Sequence, residues 1–329
     1  MKFIISFGVG FVISLIIGIP FIYWSIKKGK IVYADSRIRA KIGKLFSENE
    51  LKNILDSNML PKLQKTRYWH ILQFSENRTE FEKTIENLLD KEYNTIHSFS
   101  SDTIKPFLDI YFKLKQKIKE LKLILNCVEN NRNKKFLAGI IKNKSLVGLL
   151  KFDYVEDIIN HLKKNKEFDF LDPVIYSKFG VLGLETSLDN HYFKCLYKSV
   201  KNNKNLYSLY KIIRTNYLIR TSLRLKNYNF SESEIIDLLN LKNKKEINFL
   251  KKDKNVLIKE LSEKNNELRQ NIISGKNQTE ALQDYFNKSV INRTKKLRLK
   301  KPYSIISSFY VLVKTIEEIN YMKRIWVLK

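Results

Sequence analysis

The sequence predicts an all-α protein: three helical repeats in a pseudo-threefold relation, preceded by one N-terminal transmembrane helix. Three observations carry this. Phe3–Ile26 is a 24-residue apolar run without a charge, whereas everything after Lys30 is polar, charged and helically patterned. Ten Gly and five Pro are few for 329 residues, which disfavours sheet-and-turn architectures. Three helix types recur in the same order three times along the body.

The first element is residues 1–30. At about 1.5 Å per residue the apolar run exceeds a hydrocarbon core of about 30 Å. Phe3, Ile13, Pro20, Trp24 and Ile26 mark it from end to end. Tyr23 and Trp24 sit where an interfacial aromatic belt belongs, and Lys27, Lys28 and Lys30 follow at once. Pro20, near one end, is tolerated in a spanning helix. A cleaved signal peptide would have a shorter apolar core and a small-residue cleavage site, and FIYWSIKK offers none. A buried core helix is disfavoured because the run is apolar on every face. One Lys (Lys2) precedes the span and three follow it, so the expected location is the cell membrane, single-pass, with the body on the cytoplasmic side.

The body divides into 33–147, 148–246 and 247–329. Each repeat opens with a short leucine-rich helix: ENELKNILDSNMLPKL, LLKFDYVEDIINHLKK and LKKDKNVLIKELSEKN. A middle helix follows in each, within RTEFEKTIENLLDKEYNTI, VLGLETSLDNHYFKCLYKSV and QTEALQDYFNKSVINRTKKL. Each also has a long closing helix. In the first, Phe107, Tyr111, Leu114, Ile118, Leu121 and Leu125 step by 4, 3, 4, 3 and 4. In the third, Ile305, Phe309, Leu312, Ile316, Ile319, Met322 and Trp326 do nearly the same. That stripe makes Leu312 a core position and Lys314 a surface one. The second closing helix is interrupted by Asn216. Ser47-x-x-Glu50 and Ser231-x-x-Glu234 read as capping boxes, Pro302 and Ser304 set the start of the last helix, and Asn- and Lys-rich stretches near 129–146 and 241–246 read as connections.

Lys and Arg number 61 against 34 Asp and Glu, a net charge of +27. Lys, Asn and Ile are enriched together, as in NNRNKK and KNNKN, and the cations lack interleaved aromatics or a nucleic-acid motif. Nucleic acid is therefore not an expected partner; an anionic membrane surface is the better fit. Cys127 and Cys195 lie far apart and read as reduced core thiols. His70, His97, His161 and His191 have no ligand spacing, so no metal is expected. No phosphate-cradling loop, H-E-x-x-H, C-x-x-C or G-x-S-x-G occurs. Glu185 and Asp189 share a helix face and are the one conceivable acid/base pair, but among so many cations an interhelical ion pair or a solvated face is the better reading. The chain therefore reads as a structural protein, without cofactor or small-molecule substrate. A membrane-anchored basic scaffold, or a binder of polyanions or lipid surfaces, is the alternative.

Four stretches resemble a known family. Tyr33-Ala-Asp-Ser-Arg37-Ile-Arg39-Ala resembles Y-A-x-x-R-[VI]-R-A. LETSLDNHYF, with Glu185, Asp189 and Tyr192, resembles L-E-x-x-L-D-x-x-Y-[YF]. TSLRLKNYNFSESEIIDLL, with Arg224 and Lys226, resembles L-L-R-L-K followed by L-S-x-E-E-I. PYSIISSFYVLVKTIEEINYMKRIWVLK, with Pro302, Ser304 and Glu318, resembles P-x-S-I and a long helix ending in E-x-x-N-L-R. These are patterns of the C subunit of archaeal A-type ATP synthases, related to the d subunit of vacuolar ATPases, and the resemblance covers nearly all of 33–329. It implies a three-repeat helical funnel, with the proteolipid ring and the D and F subunits of the central stalk as partners. It also implies a non-catalytic part in ATP-synthesis-linked ion transport. The anchor departs from the usually soluble family, and the last turn before Lys329 is expected to fray.

Overall fold

A computed structural model describes residues 25, 29, 32–53, 63–64, 66–164, 168–241, 244–252, 254–263, 266–273, 278–300 and 306–328. All regular structure among them is helical. No helix among the described residues is long and apolar enough to cross a membrane. The apolar run, with Phe3, Ile13, Pro20, Trp24 and Ile26, lies outside the described residues (Ser25 excepted), as do Pro302 and Ser304.

The chain divides into two compact units. One comprises residues up to Phe74, Ile85–Ile104 and Lys296 onward; the other comprises Ser75–Thr84 and Lys105–Lys295. In the first, Ile306–Leu328 is the central helix. Its first ten residues, Ile306 to Thr315, are buried on every face, not along one stripe. This corrects the expectation for Lys314: it is only 5% exposed. Its ammonium is neutralised by Glu317, one turn on. Leu312 is buried as expected. Ion pairs tie the Arg78–Phe99 helix to its neighbours: Lys41 to Glu92 at 2.6 Å and Lys323 to Glu86 at 3.4 Å. Both carboxyls and both ammoniums are partly screened from solvent, so each pair contributes more than a fully exposed one would.

The second unit is built on three long helical runs. Lys105–Asp109, a π turn over Ile110–Leu114 and Lys115–Glu129 follow one another without a break. Pro173–Val200 packs on this run and on Lys204–Asn227. Pro173–Val200 is kinked at Gly180, where φ is +60° and ψ is −158°. L side chains avoid that conformation, so the bend depends on glycine. A core of Leu218, Leu223, Ile235, Leu238, Leu282 and Phe286 lies beneath the shorter helices.

Asparagine has a structural use here that composition did not reveal. Asn133, Asn143 and Asn203 each accept a backbone N–H at a helix start. Asn131, Asn229 and Asn240 adopt positive φ just past helix ends. The residues after them close three Schellman-type ends: Arg132 N donates to the Cys127 carbonyl, Phe230 N to that of Leu225 and Leu241 N to that of Ile236. The stretches expected to be connections therefore hold helices Lys134–Ile140, Lys144–Val147 and Lys244–Leu250. Both capping boxes form. Ser47 and Glu50 exchange bonds of 2.8 and 3.2 Å. At Ser231 the hydroxyl accepts from Glu234 N and the Glu234 carboxylate accepts from Ser231 N. Ser231→Ala is expected to cost about 1 kcal/mol, measured as a lower denaturation midpoint with an unchanged slope. No change in midpoint would mean that the cap is not formed in solution.

Candidate functional site: a three-helix polar seam

Helical periodicity puts Glu185, Asp189 and Tyr192 on one face of Pro173–Val200. The structure supplies their partners. Asn126 donates Nδ2 to Glu185 Oε1 at 2.6 Å, and Arg224 donates Nη2 to Glu185 Oε2 at 3.0 Å. Lys122 Nζ donates to Asp189 Oδ1 at 2.6 Å. The pairings 126 with 185 and 122 with 189 run antiparallel. So do 224 with 185 and the ring contact of Tyr217 with Phe193, whose centroids lie 4.6 Å apart. That register brings Arg220 level with Asp189.

Both carboxylates are thus engaged by cations from other helices, as the interhelical ion-pair reading expected. Removing either partner would strand a charge in a half-buried seam, which costs more than the pair contributes. Near the pairs, the Tyr192 hydroxyl is buried and has no hydrogen-bond partner among the described residues. Burial, then the proximity of Tyr111 and Asp189, pushes its pKa well above the usual phenol range. Tyr217 is shifted the same way, by burial first and Asp189 next. Lys115 is exposed, and its ammonium lies 4.9 Å from the centre of the Tyr111 ring. Loss of bulk solvation, then Arg220, bring its ammonium down to about 8, with Lys119 and Lys122 acting the same way and Asp189 opposing them.

The other expected positions lie elsewhere. Lys226 reaches the Lys252 carbonyl. In the first unit Tyr33, Arg37 and Arg39 line the exposed side of the helix over 32–42. Arg37 Nε donates to the Tyr33 hydroxyl at 3.0 Å, and the Arg37 guanidinium lies over both the Tyr33 and Phe99 rings. Arg39 pairs with Asp35 at 2.5 Å. Glu318, buried in the same unit, accepts from Phe46 N and from the Tyr68 hydroxyl, both at 2.6 Å. Sequence reasoning missed Lys115, Lys119, Lys122, Asn126 and Arg220. Their spacing at i, i+4, i+7 and i+11 along Lys115–Glu129, and Arg220 one turn before Arg224, carried the signal.

Asn216, which breaks the apolar stripe of its helix, donates Nδ2 to the Phe286 carbonyl at 3.2 Å and to the Ser289 hydroxyl at 2.9 Å. A few residues along the same two helices, Arg293 donates to Ser208 at 2.7 Å. These bonds cross-link Lys204–Asn227 to Gln278–Lys300. Among the described residues no group of His, Cys, Asp and Glu could hold a metal ion.

Ion pairs that close between helices, together with side-chain clasps, tie these helices together. The chain belongs to the ATP synthase (C/AC39) subunit family, whose model matches residues 34–325. Members of that family are non-catalytic parts of the ATP synthase complex. The chain is 24% identical over 185 residues to the A-type ATP synthase C subunit of Methanocaldococcus jannaschii, covering 51% of this chain and 46% of that protein. It is 24% identical over 218 residues to the A-type ATP synthase C subunit of Methanosphaera stadtmanae, covering 62% of this chain and 56% of that protein. The chain thus spans about half the length of the curated relatives it matches.

Proposed function

We propose that this protein is the rotor adaptor of an A-type ATP synthase, joining the membrane proteolipid ring to the D and F subunits of the central stalk. In that role it makes and breaks no bond; it transmits torque during ATP synthesis linked to ion transport. The observation that carries the reading is the family match across 34–325. The seam supports it, because a torque-bearing part must resist shear between helices, and closely packed helices joined by ion pairs in register transmit strain. The body is read as three repeats, 33–147, 148–246 and 247–329, in a pseudo-threefold funnel. Residues 1–30 anchor it to the cell membrane as a single pass, with the body on the cytoplasmic side. No cofactor, small-molecule substrate or nucleic acid enters this role.

The test is to solubilise membranes in mild detergent, capture this chain and identify its partners by mass. Ring and stalk proteins in stable amounts are expected. Recovery of the chain without them would favour an unrelated basic scaffold, and recovery bound to polyanions in a salt-sensitive way would favour a surface binder. A carbonate wash tests the anchor separately, since the full-length chain should stay in the membrane pellet. A peripheral, charge-held protein would appear in the supernatant.

A further inference from the structure

The seam holds more positive charge than its carboxylates use. Lys115, Lys119 and Lys122 share one face of their helix, and Arg220 and Arg224 share one face of theirs. These five cations face two carboxylates, Glu185 and Asp189, which are engaged by Arg224 with Asn126 and by Lys122. Lys115, Lys119 and Arg220 are exposed and close no salt bridge among the described residues. Two helices that both pack on Pro173–Val200 therefore bring three surplus cations to one seam, with Lys115 immediately after the π turn Ile110–Leu114. Such turns are enriched at functional sites. A frame needs no such crowding, because like charges this close oppose folding.

We propose that Lys115, Lys119 and Arg220 form a binding site for a tetrahedral oxyanion of the phosphate class. The three side chains offer only donors: two ammoniums and a guanidinium with its fork of N–H groups. They approach from two helices and so from different directions, which matches four oxygens around one centre better than the two coplanar oxygens of a carboxylate. Asp189 lies nearby but is already neutralised by Lys122, so it does not repel the ligand as a free carboxylate would. Burial lowers the proton affinity of Lys115, Arg220, Lys119 and Lys122 add to that shift, and an anion among these cations would oppose their part of it. Free phosphate and the phosphates of a nucleotide share this chemistry.

The experiment uses the full chain in detergent and calorimetric titration with inorganic phosphate, ADP and glutarate. Saturable phosphate or ADP binding is expected, and which of the two binds more tightly identifies the source. Lys119→Ala and Arg220→Ala should each weaken it about tenfold or more, while Lys296→Ala, an exposed lysine outside the seam, should not. Both seam residues are exposed, and thermal melts would verify that the variants fold. Sulfate, whose charge is constant over the range, serves as the pH probe. Its affinity should fall as pH rises through about 8, where Lys115 loses its proton among Arg220, Lys119, Lys122 and Asp189. Equal phosphate affinity in the wild type and both seam variants would overturn the proposal, leaving only diffuse attraction to a +27 chain. Glutarate binding as tightly as phosphate would also overturn it, in favour of acidic side chains of a partner. These outcomes are independent of whether the chain co-purifies with a proteolipid ring.

Discussion

Glu318→Ala is expected to lower stability by about 3–5 kcal/mol, a large part of the 5–15 kcal/mol that typically holds a folded protein. Glu318 is 1% exposed. Its two carboxylate oxygens take different partners: the backbone N–H of Phe46, just past the helix over 32–42, and the hydroxyl of Tyr68 on Arg67–Phe74, each at 2.6 Å. Alanine would take the Glu318 acceptor from both donors, besides opening a cavity. Hydrogen bonds to a charged acceptor are stronger than neutral ones, and an orphaned buried donor costs its full desolvation. Glu318→Gln keeps the volume and one acceptor oxygen, so about half the loss is expected. Tyr68→Phe removes one arm only and should cost about 1–2 kcal/mol. Denaturant titrations of the single variants and of Glu318→Ala with Tyr68→Phe complete a cycle, in which a coupling near zero would mean that the two groups do not meet. The loss should also reach beyond the core, because Phe46 fixes the exit of the helix that carries Tyr33, Arg37 and Arg39.

Much of this architecture is written locally and was legible for that reason. A capping box is a four-residue code, so Ser47–Glu50 and Ser231–Glu234 could be read directly. Helical character could be read because apolar stripes recur at 3.6-residue spacing. The shared face of Glu185 and Asp189 in a cation-rich chain pointed to an interhelical ion pair or a solvated face, and the structure shows the ion pairs. Their partners could not be read, because Lys122, Asn126 and Arg224 are 39 to 67 residues away, and only packing selects Lys122 and Arg224 from 61 cations. Lys314 was misread because a stripe assigns one buried face, whereas the start of Ile306–Leu328 is enclosed on all sides. A local pairing with Glu317 makes that burial tolerable. Asparagine hid its role behind composition. The residues that make NNRNKK look like a linker are those that stop one helix and start the next.

The kink in Pro173–Val200 gives the second large effect. Gly183→Val is expected to destabilise the second unit by about 3 kcal/mol or more, at the upper end of overpacking penalties. A Cβ at Gly183 would meet Phe179 Cβ at 2.7 Å, Ile175 Cγ2 at 2.9 Å and the Ile175 carbonyl oxygen at 3.0 Å. Two of those atoms, the carbonyl and a Cβ, are fixed to the backbone and cannot turn aside. The segment before the bend would have to move as a body, losing the bond from the Tyr176 hydroxyl to Glu129 at 2.7 Å. Gly180→Ala strains the same bend by another route, since its φ of +60° with ψ of −158° lies where L residues cost about 1–3 kcal/mol. The two changes act on one bend, so together they should cost less than their sum. Gly139→Ala is the control: nothing lies within 4 Å of its added Cβ, in the helix Lys134–Ile140, and it should be neutral or mildly stabilising. Glu185 follows Gly183 by two residues, so a displaced bend should also misalign the seam. Phosphate titration of Gly183→Val below its melting temperature would register that shift as weakened binding. A Gly183→Val protein as stable as Gly139→Ala would show that the segment before Gly180 does not pack back on the helix as described.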